Sequence, residues 1–293
     1  MSGARTLTSN LCGKWHRRYG VAPCPVCQPN GRNGQDALTL ADGHDGRLLL
    51  HCKKARCSFR DIAAAAGLTQ ASYTPPDQMV MAQRRALEQA EAMKRADQAR
   101  LVWSGSLPIT GTLAETYIRG RGITCPLPDT LRFAPVCWHP TARRLPALVA
   151  LVEGGKGFAV HRTYLCADGN GKAGVQPAKA MLGATSGGAV RLTEALGRLA
   201  VAEGIETALS LACGLLRAPA TIWAALSTSG LTGLCLPPDP GKLTIAPDGD
   251  APGRAAAHAL AERAHGLGWN VSLLTAPEGR DWNDILSMKG TNS

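Results

Sequence analysis

Carboxylates that follow predicted strands are the residues of this chain best placed to do chemistry. Glu203, Asp248 and Asp281 each stand at the end of a predicted strand or follow one, and Asp250 lies two positions beyond Asp248. In a parallel sheet, ligands collect outside the carboxyl ends of the strands. We therefore expect these acidic side chains to converge on one place.

Charge repulsion sets the chemistry of such a cluster. Carboxylates held close together repel one another unless a hard cation neutralises them. Mg²⁺ takes a few carboxylates, keeps waters and bridges substrate phosphates. One Asp-x-Asp turn alone is ordinarily a solvated loop, but three acidic groups in register with three strands favour a catalytic site. The pattern predicts phosphoryl transfer that depends on Mg²⁺ or Mn²⁺.

Two cysteine pairs form a second chemical group near the start of the chain. Residues 28–51 separate Cys24 and Cys27 from Cys52 and Cys57. Two such pairs place four thiolates as a tetrahedral structural Zn²⁺ site requires. Ten cysteines in a chain of this length, without a secretory signal, do not fit a secreted disulfide scaffold.

The zinc ligand set has two outside candidates. His51 adjoins Cys52, although neighbouring side chains on a strand point to opposite faces. Cys12 is the other. Basic residues crowd around the cysteines and favour contact with nucleic acid: Arg17, Arg18, Arg32, Lys53, Lys54 and Arg56. Trp15 and Tyr19 are candidates to stack on bases, with burial as the alternative.

Strands and helices must alternate to position the acidic residues. Apolar runs predict strands over 198–203, 221–226, 242–247 and 270–274, with helices over 206–216 and 252–267. This alternation predicts βαβ units and a parallel sheet. Nearer the start, we expect a short helix over 60–67, a linker over 71–78 that contains Pro75 and Pro76, and a long helix over 79–103.

The expected fold class is α/β with four parts. A zinc-ribbon-like domain over 1–70 is followed by a linker and long helix over 71–103. An α+β basic middle region over 104–195 precedes a C-terminal βαβ parallel-sheet domain over 196–293.

The charge balance indicates an acidic polymer as partner. The net charge is +10, with +6 on residues 1–74 and −2 on residues 196–293. The longest uncharged apolar run, 208–216, is far shorter than the ~18 residues of a membrane helix. We therefore expect a soluble, cytoplasmic protein with no membrane partner.

Three stretches of the C-terminal part resemble a known family. Residues 201–210, 246–254 and 280–286 are similar to the motifs of Toprim domains, the metal-binding module of bacterial-type primases, topoisomerases and some nucleases. Residues 24–27 and 51–62 resemble the zinc-binding domain of bacterial and phage primases. The resemblance implies a compact primase of a phage, plasmid or integrated mobile element.

The resemblance assigns roles to the acidic residues. It makes Glu203 the motif glutamate, which acts in acid–base chemistry and at the catalytic metal. Asp248 and Asp250 become the metal-binding pair, and Asp281 the first acid of the third motif. Replicative primases carry a second aspartate two positions on.

This chain departs from that third motif. It has Asn283 at the position of the second aspartate and Asp284 next to it. Asp284 either replaces the missing acid as a Mg²⁺ ligand or caps the following helix.

The resemblance also implies basic residues that hold template or triphosphate. In the middle region these are Lys179, Arg162 and Lys172, with a solvated hairpin at 168–171 as the alternative. Arg254 either contacts phosphate or pairs with Asp250.

The predicted function is DNA-dependent primer synthesis. NTPs would be joined on a single-stranded DNA template by Mg²⁺-dependent nucleotidyl transfer, with a separate replicative helicase as partner. The alternatives are a non-catalytic zinc and Toprim DNA-binding recombination mediator, or a Toprim nuclease. A topoisomerase is disfavoured, because that class needs a nucleophilic tyrosine on a distant gate domain.

Overall fold

The computed structural model describes residues 3–31, 35–43, 45–68 and 77–290. Arg32 and linker residues 71–76 therefore lie outside the described residues. The chain divides into two compact units, Met1–Ala90 and Glu91–Ser293.

The first unit is a small antiparallel sheet with two short helices. Helix α1 spans Gly3–Asn10 and helix α2 spans Phe59–Ala65. The sheet has the order β1-β2-β3-β4, with strands Lys14–Trp15, Gly20–Ala22, Leu38–Asp42 and Leu48–Cys52. Leu38, Leu40 and Ile62 are fully buried in its core. The sheet is what brings the second cysteine pair back to the first.

A long helix, α3, spans Gln78–Ser104 and crosses the boundary between the units. Its sequence contains no glycine or proline, so nothing interrupts the hydrogen-bond ladder. The helix predicted over 79–103 is confirmed to within one residue at each end.

An antiparallel sheet forms the middle of the chain. Its order is β5-β6-β7-β8-β9, with strands Leu107–Pro108, Leu131–Trp138, Arg144–Val152, Ala159–Tyr164 and Lys179–Gly183. Helix α4 spans Leu113–Gly120. Since neighbouring strands run in opposite directions, β6 and β8 end where β7 and β9 begin.

A mixed sheet forms the C-terminal part. Its order is β10-β12-β11-β13-β14, with strands Val190–Thr193, Thr221–Ala224, Arg198–Ala202, Lys242–Ala246 and Asn270–Leu273. Strand β10 is antiparallel to β12, and the other pairs are parallel. The associated helices are α5 Ile205–Ser210, α6 Thr228–Gly233, α7 Ala251–Gly266 and α8 Trp282–Gly290. The α/β class and the parallel βαβ arrangement are confirmed.

One predicted helix is shorter than expected. The helix predicted over 206–216 is α-helical to Ser210 and continues as a π-turn over Leu211–Leu215. Gly214 has a φ of 95° there, which ends the right-handed helix.

The sheet is buried on both faces. Strands β11 and β13 lie inside it, and Leu199, Val201 and Ile245 pack with α7 on one face while Ala200 and Ala202 pack with α5 on the other. This burial explains the continuous apolar runs of the two strands. None of the described helices combines the length and the apolar character needed to cross a bilayer.

Candidate functional site

The four predicted zinc ligands lie together. The Sγ atoms of Cys24, Cys27, Cys52 and Cys57 are all within 4.8 Å of one another, and Cys27 and Cys52 have their sulfurs 3.6 Å apart. Four sulfurs bound tetrahedrally at ~2.3 Å from zinc are about 3.8 Å apart, so the spacing fits a closed Zn²⁺ site.

The two outside zinc candidates are not in this cluster. His51 is exposed on β4, where it alternates with the buried Cys52, and Cys12 is exposed. The basic residues that surround the cysteines in sequence are exposed where described: Arg17, Arg18, Lys53, Lys54 and Arg56. Tyr19 is 43% exposed and Trp15 is half-buried.

The acidic residues meet at one edge of the C-terminal sheet. Strands β11, β13 and β14 are neighbours and parallel, and Glu203, Asp248 and Asp281 lie in the segments that follow them. Asp248 and Asp281 are close enough for the charge of one to act on the other.

This edge strongly disfavours accumulated negative charge. Burial, with the charges of Asp248 and Asp250, raises the pKa of Glu203 to about 7. Burial, with the charge of Asp281, raises the pKa of Asp248 to about 6. A cation at this edge would relieve the same repulsion, and oxygen donors are the ligands that Mg²⁺ prefers.

Each aspartate is held by a local hydrogen bond. The Thr207 hydroxyl donates to Asp248 Oδ1 across 3.2 Å, and the Gly253 N–H donates to Asp250 Oδ1 across 2.7 Å. Within the described part of the chain, the cysteine cluster is the one group of three or more metal-ligating side chains whose ligand atoms all lie within 4.8 Å of one another. The carboxylates at the sheet edge do not form such a group.

The third motif is built as a helix start. The Asp284 N–H donates to Asp281 Oδ1 across 2.8 Å, and the Asp281 N–H donates to Asp284 Oδ2 across 3.0 Å. This reciprocal pair is a capping box at the beginning of α8. The capping alternative for Asp284 is therefore realised in the geometry.

Asn283 has a structural position. It is 2% exposed, and its amide donates to the Arg121 carbonyl across 2.8 Å and to Ser210 Oγ across 3.0 Å. An aspartate would supply no donor for these contacts. The departure from the replicative motif thus fixes α8 against α5 and the turn after α4.

The loops that carry the aspartates are joined through Gly249. Its N–H donates to the Arg280 carbonyl across 2.8 Å, and its own carbonyl accepts from Gly279 across 3.1 Å. A Cβ at position 249 would lie 1.9 Å from the Pro277 carbonyl oxygen, so the backbones approach too closely for a side chain.

Arg254 also contributes to this junction. Its Nη1 donates to the Gly249 carbonyl across 2.6 Å. The contact lies beside both members of the predicted metal pair, and phosphate binding by Arg254 stays a prediction.

A buried glutamate gathers two of the predicted basic residues. Glu206 is 3% exposed, and it pairs with Lys179 Nζ at 3.0 Å and with Lys172 Nζ at 3.5 Å. The Tyr117 hydroxyl donates to it across 2.6 Å. Burial alone would raise the pKa of Glu206, but the two ammonium groups and the hydroxyl hold it well below its usual range.

Lys179 connects the basic and acidic halves of the site. Its charge lowers the pKa of both Glu203 and Asp248, against the larger effect of burial. Arg121 adds another positive charge near Tyr117 and Lys172. The structure thus places Lys179 beside the predicted metal-binding edge, with Lys172 and Arg121 near Glu206 and Tyr117.

Arg162 is placed differently. It is 7% exposed on β8, and Nη1 donates to the Trp138 carbonyl across 2.9 Å. The structure does not bring its guanidinium into the group of side chains around Glu206. The turn predicted at 168–171 is present. Within it, the Asn170 N–H donates to Asp168 Oδ1 across 3.0 Å.

Sequence reasoning missed Glu206, Tyr117 and Arg121. Glu206 stands three residues after Glu203 and lies on the first turn of α5. This closeness to a predicted site residue was the one sequence feature that pointed to it. Its burial depends on α4, 89 residues earlier, and no local pattern reports that contact.

Two family models match parts of the chain. Residues 198–292 match the Toprim domain, and residues 93–192 match a domain of unknown function, DUF7146. No curated protein sequence matches this chain.

Solved primase structures are similar to the chain at low identity. A DNA primase domain from Pseudomonas aeruginosa is 19% identical, with 67% of this chain and 75% of that one covered and a TM-score of 0.42. The zinc-binding and RNA polymerase domains of the Aquifex aeolicus primase are 14% identical, with 100% and 83% covered and a TM-score of 0.40. The RNA polymerase domain of a Mycobacterium tuberculosis primase is 15% identical, with 69% and 80% covered and a TM-score of 0.36.

Proposed function

We propose that this chain, whose residues 198–292 form a Toprim domain, is a DNA-dependent primase. It would act as a nucleotidyltransferase that makes short RNA primers from NTPs on single-stranded DNA. The observation that carries the proposal is that acidic and basic side chains lie next to each other at one edge of the C-terminal sheet. The carboxylates of Glu203 and Asp248 have raised pKa values, as expected of a site that a divalent cation would neutralise. Lys179 and Lys172 are the basic side chains.

Two kinds of metal site fit the residues present. The four cysteines would hold a structural Zn²⁺. Glu203, Asp248, Asp250 and Asp281 would hold Mg²⁺ or Mn²⁺. A bound Mg²⁺ supplies charge neutralisation at the triphosphate and lowers the pKa of an attacking hydroxyl.

The chain's own residues supply proton transfer and positioning. Burial, with the charges of Asp248 and Asp250, raises the pKa of Glu203 to about 7 in the absence of a cation. A cation held by the aspartates would lower that pKa, so Glu203 would be ionised and able to accept the proton of the primer 3′-hydroxyl. Lys179 and Lys172 would bind the triphosphate and exchange part of their contact with Glu206 for phosphate oxygens. Thr207 orients the Asp248 carboxylate.

One observation favours a second candidate. Asn283 is buried in structural contacts and Asp284 caps α8, so the third motif has fewer free acids than in the replicative primases. A reduced metal set suits a non-catalytic DNA-binding mediator. The separate replicative helicase and the mobile-element origin stay predictions.

The decisive experiment is primer synthesis on circular single-stranded DNA with labelled NTPs and Mg²⁺. Wild type is compared with Asp248→Ala and with Asp239→Ala, which removes an exposed aspartate outside the site. We expect short labelled products from wild type and the control, and none from Asp248→Ala or after addition of EDTA.

Other outcomes would redirect the proposal. DNA binding without synthesis, unchanged by EDTA and not restored by an added helicase, would favour the mediator. Strand cleavage in the absence of NTPs would identify a nuclease.

A further inference from the structure

An exposed aromatic side chain with two arginines stands at the tip of the middle sheet. The β6–β7 turn runs from Trp138 to Arg144, and these two residues lie directly opposite each other in the ladder. Trp138 is 55% exposed, and the Arg144 guanidinium lies 4.5 Å from the centre of its ring. Arg143 is exposed beside them.

The turn is held rigidly from below. His139 is 3% exposed, and its Nε2 donates to the Pro177 carbonyl across 2.9 Å while Nδ1 accepts from the Thr141 N–H across 3.1 Å. The Trp138 carbonyl accepts from both Arg162 and the Tyr164 hydroxyl. An exposed indole on so well-anchored a backbone loses little entropy when it binds a partner.

The turn lies at the same end of the sheet as the basic half of the site. Strands β6 and β8 end there and β7 and β9 begin there, and Lys179 is the first residue of β9. The His139 contact to Pro177 ties the turn to the segment that carries Lys179.

The two arginines are available to a ligand. Among the described residues, neither Arg143 nor Arg144 has a carboxylate within 4.0 Å, whereas Lys172 and Lys179 are both paired. An exposed indole beside unpaired cations suits a polymer that offers aromatic faces and phosphates together. Bases stack on such rings without sequence preference, and arginines neutralise the adjacent phosphates.

We propose that Trp138, with Arg143 and Arg144, is a base-stacking site for single-stranded nucleic acid that leads into the catalytic site. It deepens the proposed function and rests on it for the identity of the strand, which would be the DNA template. One unpaired base stacks on the Trp138 ring, and the two guanidinium groups hold its flanking phosphates.

The test measures equilibrium binding of a fluorescent oligo-dT to the full chain over a range of salt concentrations. The variants are Trp138→Ala, Trp138→Phe and the double variant Arg143→Ala/Arg144→Ala. Leu196→Ala and Arg217→Ala are the matched controls, because they remove an exposed apolar and an exposed basic residue elsewhere.

Stacking and charge give different signatures. Trp138→Ala should weaken binding about 5- to 150-fold without changing the salt dependence, and Trp138→Phe should bind within about 3-fold of wild type. The double arginine variant should make the slope of log affinity against log salt shallower by about 1.4. Duplex DNA should bind Trp138→Ala and wild type equally.

Opposite results would overturn the site. These are equal binding by Trp138→Ala and Leu196→Ala, equal losses in the alanine and phenylalanine variants, or no binding of oligo-dT by wild type. Primer synthesis at saturating template distinguishes failure of the Trp138 stacking site from failure of the proposed primase activity. Wild type that binds oligo-dT through Trp138 but makes no primers, even with an added helicase, would refute the primase and leave the stacking site intact.

Discussion

The Tyr117 hydroxyl donates a hydrogen bond to the Glu206 carboxylate across 2.6 Å. Tyr117 lies in the segment that matches DUF7146, and Glu206 lies in the Toprim domain. Both side chains are buried, and burial together with the Glu206 charge raises the pKa of the phenol. The contact therefore couples the two segments through a charged group that has little access to water.

Tyr117→Phe should destabilise the second unit by about 1.5–3 kcal/mol, because it removes a hydrogen bond to a buried carboxylate. Urea unfolding followed by circular dichroism measures the change. Tyr164→Phe is the matched control: its hydroxyl donates to the neutral Trp138 carbonyl, which keeps the Arg162 contact. A loss for Tyr117→Phe no larger than for Tyr164→Phe would contradict the role given to Glu206.

Lys179→Met should lower the rate of primer synthesis about 100-fold, since it removes a preorganised cation from the site. Lys172 still pairs with Glu206, so the variant should fold. Steady-state synthesis with varied NTP checks this. Lys156→Met, which changes an exposed lysine in a turn, should keep full activity. Comparable rates for the two variants would argue against Lys179 at the triphosphate.

Cys52→Ser should abolish zinc binding and unfold the first unit, because the four sulfurs act as one ligand set. Metal analysis of the purified wild type should find about one equivalent of zinc per chain. Cys235→Ser changes an exposed cysteine and should retain the metal. Zinc retained by Cys52→Ser would exclude this ligand set.

Asn283→Asp restores the acid of the replicative motif and should nevertheless destabilise the chain by about 1–3 kcal/mol, because Arg121 and Ser210 lose their donor. Asp284→Ala should cost about 1 kcal/mol, because it removes the acceptor of the Asp281 N–H. Thermal unfolding and primer synthesis are measured together. Higher activity in Asn283→Asp would indicate that position 283 faces the metal.

His161 should make the stability of the second unit depend on pH. Burial, with the Lys179 charge, lowers its pKa from 6.5 to about 4. The unfolded chain then binds the extra proton first as the pH falls, so the contribution of His161 to stability is complete above pH ~6.5 and is lost towards pH 4. The raised pKa values of Glu203 and Asp248 act in the opposite direction over the same range. Between pH 7.5 and pH 5 the loss from this residue should be about 2 kcal/mol.

His161→Asn should remove this loss. In urea unfolding at pH 5, 6 and 7.5, its free energy of unfolding relative to wild type should rise by about 2 kcal/mol from pH 7.5 to pH 5, whereas that of His258→Asn, at an exposed position, should stay constant. Parallel profiles for wild type and His161→Asn would rule out this source of pH dependence.

The parallel sheet was predictable because its strands are buried on both faces and bounded by turns. Burial on both faces requires a continuous run of apolar residues, which the sequence has at 199–202. Glu203 follows this run directly and is therefore expected at the end of the strand. The cysteine cluster was predictable for a similar reason, since metal ligation fixes residue type and spacing.

The basic half of the site was harder to predict, because its members are defined by contacts between distant segments. Arg162 and Lys179 look alike in sequence, yet one bonds to backbone carbonyls inside the sheet and the other faces Glu206. From the sequence, Asn283 in the third motif is a metal ligand replaced by a weaker one. The structure gives it a different role, because its amide donates to the Arg121 carbonyl and to Ser210 Oγ.

The close approach at Gly249 has a consequence for interpreting mutational scans. Every side chain at this position would collide with the Pro277 carbonyl, so all substitutions should fail alike, whether acidic, basic or apolar. Intolerance there reports steric exclusion between two loops. In a scan of the Asp-Gly-Asp segment, the middle position is therefore a marker of backbone architecture, and the chemical information lies in its two neighbours.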